Sequence, residues 1–204
     1  MNPIRITIAS LPFLLTLFIG AAAAEDRKPN VIVFLSDDVG YGEYGFQGNK
    51  EIPTPHIDSI AKNGVRFTAG YVSGPYCSPT RAGLLTGQYQ TRFGHEWNEG
   101  PATEGGREFG LPVEETTIAD RMRALGYATC AVGKWHLGQE EKFHPLSRGF
   151  QEYFGFLGGA RSYLPIAGTP NAGQAMYRGR SILPESDEYT TDTFAREATA
   201  FIER

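Results

Sequence analysis

The chain has 204 residues, 41% of them hydrophobic and 21% charged, which is enough for one domain with a real core. Its formal net charge of -4 provides no basic footprint for nucleic acid, so positive groups that matter must be local. With 25 glycines and 13 prolines, long loops are expected between the regular elements.

Residues 1–24 read as a signal peptide rather than as part of the fold. Arg5 supplies a positive start, Ile6 to Ile19 an apolar run, and Ala22-Ala23-Ala24 a small-residue cleavage site. A membrane anchor is disfavoured by Pro12, by the shortness of the run and by its alanine end. Export follows, with a periplasmic or secreted protein, no stable membrane insertion, and Glu25 at the mature N-terminus.

Val31-Ile32-Val33-Phe34-Leu35 is continuous, apolar and rich in β-branched residues, as a parallel strand buried on both faces would be. Asp37 and Asp38 follow at its carboxyl end, where open α/β sheets bind ligands. Two adjacent carboxylates there suit either a hard cation with oxygen ligands or a solvated turn ahead of Gly40-Tyr41-Gly42. Thr54 to Gly64 reads as a short helix, with Thr54 as cap, Pro55 at the start, and Ile57, Ile60 and Ala61 on its inner stripe. His56 is a surface residue of its first turn, and Val65 to Thr68 reads as a strand.

Cys77-Ser78-Pro79-Thr80-Arg81 opens the next helix, with Ser78 able to cap, Pro79 suited to the first helical position and Gly87 to the left-handed stop. Cys77 then lies at a helix mouth, where free amides favour negative charge. Arg81, one turn on, can point back toward it. A nucleophile, an anion-favouring mouth and a fixed cation suit chemistry on an oxyanion such as sulfate or phosphate. The plainer alternative is a buried cysteine before a capped helix.

Residues 88–112 are irregular and glycine-rich, with His95 and Trp97 inside; a loop histidine of this kind reads first as solvated. Thr116 to Gly126 is a capped helix leading into the strand Tyr127 to Val132, which carries Cys130. With Cys130 in a strand and Cys77 at a helix mouth, the two cysteines are expected to be free rather than paired. Gly133-Lys134-Trp135-His136-Leu137-Gly138 sits at that strand's end, and Lys134 and His136 share a side if the chain stays extended. A snorkelling Lys and a packed His would fit as well. Residues 139–190 show little periodicity, although Phe150 to Gly159 suits pocket walls and Arg161 and Ser162 offer substrate contacts. Thr191 to Arg204 is an amphipathic helix with Phe194, Ala195, Ala198, Phe201 and Ile202 on one stripe.

Taken together, these stretches resemble the type I, formylglycine-dependent sulfatases. Cys77, Pro79, Arg81, Leu84, Leu85, Thr86 and Gly87 match the family's C-x-P-x-R signature and its continuation, with Thr80 in place of the common Ser or Ala. Gly133 to Gly138 matches the second signature, and Asp37-Asp38 before Gly-Tyr-Gly matches the metal-binding end of the first strand. The resemblance implies an α/β fold, a mostly parallel sheet sandwiched by helices, similar to the alkaline-phosphatase superfamily. It implies that a formylglycine-generating or sulfatase-maturating enzyme oxidises Cys77 to formylglycine, whose hydrate attacks sulfur. It also implies that Asp37, Asp38 and the converted Cys77 hold Ca²⁺, and that Arg81, Lys134 and His136 act on the sulfate and the nucleophile.

The activity so implied is hydrolysis of an aryl sulfate or a sulfated carbohydrate. A phosphate or phosphonate monoester hydrolase of the same superfamily, or a non-catalytic sulfated-glycan-binding remnant, are the alternatives. Whole sulfatases are much longer, so 25–204 reads as the N-terminal portion of a catalytic domain truncated at its C-terminus. Such a fragment would lack later metal and sulfate ligands and is expected to be inactive by itself.

Export can be checked directly. N-terminal sequencing of secreted or periplasmic protein should begin near Glu25; recovery of Met1 from exported material would contradict the signal peptide.

Overall fold

The computed structural model describes residues 28–98 and 109–204, so the signal-peptide reading of 1–24 lies outside the described residues. The chain forms two units, one ending at Ser36 and the other running from Asp37 to Arg204. In the first, residues 28–36 form no strand. Val31 to Leu35 is 39–77% exposed, against the buried strand expected of it. An apolar run can be buried on both faces only where neighbouring strands complete its ladder, and this stretch makes none among the described residues.

In the second unit, helix α1 spans Pro55–Asn63. Thr54 does not cap it: its hydroxyl donates to Asp58 Oδ1 at 2.9 Å and accepts from the Gly45 amide at 2.8 Å. Asp58 Oδ1 also accepts from the Phe46 amide at 2.9 Å, so the pair spends its bonding on the turn at 45–47. The stripe expected on α1 is not buried, with Ile57 and Ile60 exposed. Val65 to Thr68, expected as a strand, is irregular; Arg66 lies over the Phe46 ring instead.

Helix α2 spans Cys77–Thr86, beginning two residues ahead of Pro79. Proline is tolerated there because the first four amides of a helix have no partner within it. Gly87 ends the helix as expected, at φ 68° with its amide donating to the Gly83 carbonyl. Helix α3, Ile118–Ala124, opens on a full capping box in which Thr117 and Asp120 bond reciprocally. The buried Thr117 hydroxyl lies 2.9 Å from both Asp120 Oδ2 and the Arg148 carbonyl.

The strand after α3 runs Cys130–Lys134, shifted toward the glycine-flanked segment that sequence placed beyond it. This strand, β1, pairs in parallel with β2, Glu152–Phe156. Two antiparallel pairings to β3, Tyr177–Arg178, and β4, Ser181–Ile182, complete a four-stranded sheet. Successive side chains of β2 face opposite ways. Phe154 and Phe156 meet Phe194 of helix α4, Thr190–Ile202, at ring separations of 6.2 and 6.4 Å. Tyr153 and the following Leu157 join the opposite core with Ala82 of α2, Leu111, Trp135, Leu137, Ala175 and Tyr177. Helices thus cover both faces of the sheet, as an α/β architecture requires. The stripe expected on α4 is only partly used, since Ala195 and Ile202 remain exposed.

Gly133 and Gly155 are register partners across the parallel pair. A Cβ on Gly155 would stand 1.9 Å from the Gly133 carbonyl oxygen, so the strands approach more closely than any side chain permits. The ladder continues past β1, with the Trp135 and His136 amides donating to Phe156 and Leu157 carbonyls at 3.0 Å. Among the described residues no helix is long and apolar enough to cross a membrane.

Gly155→Ala should therefore force β1 and β2 apart. A loss of about 1–3 kcal/mol is expected, on the scale of an overpacked core, read as a lower denaturation midpoint at unchanged m-value. An unchanged midpoint would show that the strands can separate at no cost.

Candidate active site

Two chain segments carry most of the site. Helix α2 presents Cys77 and Arg81 from its first turns, and the end of β1 presents Lys134 and then His136. The Arg81 guanidinium donates from Nη1 to the Lys134 carbonyl at 2.7 Å, which fixes α2 against the strand end. Its Nη2 reaches Asp37 Oδ2 at 3.4 Å, and Lys134 Nζ donates a short hydrogen bond to the same carboxylate oxygen. Asp37 thus lies between two cations whose side chains are each 12% exposed.

The electrostatics follow from that packing. Partial burial raises the Asp37 carboxyl, but the hydrogen bond and charge of Lys134, the charge of Arg81 and a hydrogen bond with Cys77 outweigh it and hold the carboxyl below 3.8. Burial lowers Arg81, and the charge and hydrogen bond of Asp37 oppose the change. Burial also lowers His136, the charges of Lys134 and Arg81 reinforce it, and the imidazole is pushed down to about 4. His136 is therefore a neutral base at pH 7. Its backbone is left-handed at φ 57°, rare for a residue with a side chain, and its ring packs so closely on Gly159 that a Cβ there would lie 2.7 Å from Nε2. The left-handed turn means that Lys134 and His136 do not simply share a strand face, yet both remain within electrostatic reach of Asp37.

Asp37, Asp38 and Cys77 each offer a ligand atom, and the three atoms lie within 4.8 Å of one another. Both carboxylates are exposed, and Asp38 adopts φ 56°. A pair of hard oxygen donors converging beside a third ligand position fits a divalent cation such as Ca²⁺ or Mg²⁺. Arg81 and Lys134 already compensate the charge of Asp37, so a cation held here would draw mainly on Asp38 and on the other oxygen of Asp37.

Other expectations are revised. Ser78 does not cap α2 with its side chain: the hydroxyl turns inward, and the Ser78 amide is met by Asn98 Oδ1 at 3.0 Å. His95 is not solvated but 6% exposed, with its Nε2 2.7 Å from Ser78 Oγ. Arg161 is no free substrate contact, because it is paired with Glu185 and bonded to the Gln174 carbonyl. Trp97 is exposed beside Tyr76, their rings 6.0 Å apart. Both cysteines are free, and burial pushes the Cys130 thiol up to about 11. Asn98 offered no sequence signal, and the contacts that Ser78 and Gly159 make with His136 were not legible, since each partner lies far away in the chain.

Comparison with known proteins gives this arrangement a context. The profile of the family described as Sulfatase matches residues 29–204. An arylsulfatase of Klebsiella aerogenes is 36% identical over 191 residues, covering 90% of this chain and 41% of that protein. Human arylsulfatase A is 41% identical over 147 residues, 71% of this chain and 28% of that protein. The chain thus spans less than half the length of these curated relatives. Among solved structures, the crystal structure of Ps i-CgsB superposes with a TM-score of 0.79 at 37% identity, covering 87% of this chain and 42% of that one. The same protein in complex with k-i-k-neocarrahexaose gives 0.78 at 34%.

The low His136 value has two measurable consequences. In the metal-free protein its ring should titrate near pH 4 rather than 6.5, read from the imidazole carbon shifts. Because the folded-state value lies below the unfolded one, the unfolded chain takes up the extra proton first as pH falls through this window. Stability should therefore decline from about pH 6.5 toward 4 by this contribution, and less so in His136→Gln. Titration of the ring near 6.5 would mean that it is neither buried nor facing the two cations.

Proposed function

The chain belongs to the sulfatase family, and from that premise we propose that it hydrolyses sulfate esters, either aryl sulfates or sulfated carbohydrates, at the site built by α2 and β1. The observation that carries the reading is the convergence of Asp37, Asp38 and Cys77 within 4.8 Å, with Arg81 and Lys134 bonded to the same Asp37. A maturating enzyme converts Cys77 to formylglycine. Asp37, Asp38 and the new oxygen at position 77 would hold Ca²⁺, which when bound supplies positive charge that makes a neighbouring hydroxyl more acidic.

The remaining chemistry falls to side chains of this chain. Hydrated formylglycine has two hydroxyls: one forms the bond to sulfur as the alcohol leaves, and the other loses its proton as the aldehyde re-forms and sulfate departs. Arg81 and Lys134 offset the negative charge on the transferred group, in a corner where each is largely shielded from water. His136 is neutral at pH 7 and takes the proton that the second hydroxyl gives up. The N-terminal end of α2 favours negative charge at position 77 through the helix dipole, although the Ser78 amide is taken by Asn98. Export, with maturation before or during it, belongs to the same proposal.

The test is made on the full-length protein co-produced with a formylglycine-generating enzyme. Mass analysis of the tryptic peptide from Phe67 to Arg81 should find formylglycine in place of Cys77, and aryl sulfate turnover with added Ca²⁺ should fall by at least roughly 10³-fold in Cys77→Ala. Phosphate-ester turnover with unconverted Cys77 would favour a phosphatase of the same superfamily. Binding of a sulfated glycan without turnover, in the converted protein, would favour a binding role.

A further inference from the structure

Behind the nucleophile, and outside the residues just assigned, lies a buried polar chain. Ser78 is fully buried. Its Oγ donates to the His136 carbonyl at 2.6 Å, joining residues 58 apart, and lies 2.7 Å from Nε2 of the buried His95. A hydroxyl has one proton to give. With that proton on the His136 carbonyl, the contact to His95 must be satisfied from the imidazole side. The proton order that fits both Ser78 distances is Nε2–H of His95 to Ser78 Oγ, and Oγ–H of Ser78 to the carbonyl of His136; the Gly110 backbone, the other partner of the His95 ring, competes for the same imidazole proton.

What this chain holds is specific. His136 has a left-handed backbone that its side chain does not favour. Its amide is fixed by the Leu157 carbonyl at 3.0 Å and its carbonyl by Ser78, so both polar groups of the strained peptide are tied. Phe109 fills the space between the two imidazoles, with ring separations of 5.1 Å to His95 and 6.3 Å to His136. On its other flank the Ser78 amide is held by Asn98 Oδ1. Ser78 immediately follows Cys77, so one residue is bonded both to the backbone of the base and to the loop that carries His95.

We propose that Ser78 and His95 are positioning residues, which use this relay to hold the His136 ring in register with the side chain at position 77. The inference rests on the sulfatase reading for the role of His136, but its geometric part does not. Neither residue touches substrate, so the expected cost falls on kcat rather than KM. A displaced general base is expected to lower kcat by about 10–10²-fold.

The experiment combines turnover and NMR on the full-length, matured protein. Ser78→Ala should lower kcat by that factor with KM within about twofold of the parent, a pattern expected when an interaction made only in the transition state is lost. Ser78→Thr, which keeps the hydroxyl, should recover most of the rate. In ¹³C,¹⁵N-labelled protein the His136 carbonyl carbon should shift in Ser78→Ala, the His95 ring should show a proton on Nε2 in the parent, and the distant His144 should be unmoved. If Ser78→Ala does not fold, His95→Leu, which frees the serine hydroxyl to rotate, is expected to give the same kcat loss and carbonyl shift. Unchanged kcat together with an unmoved carbonyl, a rise in KM alone, or a His95 ring bare at Nε2 would overturn the proposal. Absence of turnover in the parent counts instead against the sulfatase reading, and the His136 and His95 signals then judge the relay by themselves.

Discussion

The Arg81 guanidinium is the strut of this protein. One of its nitrogens closes the gap between helix α2 and the end of β1, and another reaches the carboxylate of Asp37. A planar, permanently charged fork can make both bonds at once, which a lysine ammonium at the same place would not do with fixed geometry. Burial makes the ion pair costly unless its partners are held in place. Here Asp37 is shared with Lys134, so each of the three charges is compensated by another. The arrangement of Cys77, His136 and the carboxylates follows from that anchoring.

The sheet cooperates through an absence of side chains. Where Gly133 meets Gly155 the parallel strands come within a distance closed to every other residue. That approach lets the ladder run on to Trp135 and His136, after β1 itself has ended. Gly159 repeats the device at the next level by leaving room for the His136 ring. Small residues thus set the depth at which the His136 ring is buried, and burial in turn is the first cause of its low proton affinity.

What could be read in the sequence was what depends on near neighbours. Gly87 ends α2 and Thr117 with Asp120 opens α3 because caps are completed within four residues. The free state of both cysteines and the helices covering the sheet were likewise legible. Val31 to Leu35 was not, because an apolar run specifies burial but not the partner that provides it. Ser78 at the start of a helix suggests a cap, yet its hydroxyl is taken by a carbonyl 58 residues away. His95 in a glycine-rich loop suggests exposure, and only the return of that loop beneath α2 buries it. Arg161 suggested a substrate contact, but its partner Glu185, half-buried, lies 24 residues further on.

The second cysteine has a practical meaning. With its thiol pushed up to about 11, Cys130 holds very little thiolate at neutral pH, and thiolate is the form that alkylating reagents and disulfides attack or are attacked by. It is thereby screened from mixed disulfides in an oxidising compartment. It is also nearly silent to iodoacetamide in the folded protein. Thiol labelling of the native chain therefore counts position 77 alone, and a preparation in which that side chain has become an aldehyde should look cysteine-free until it is unfolded.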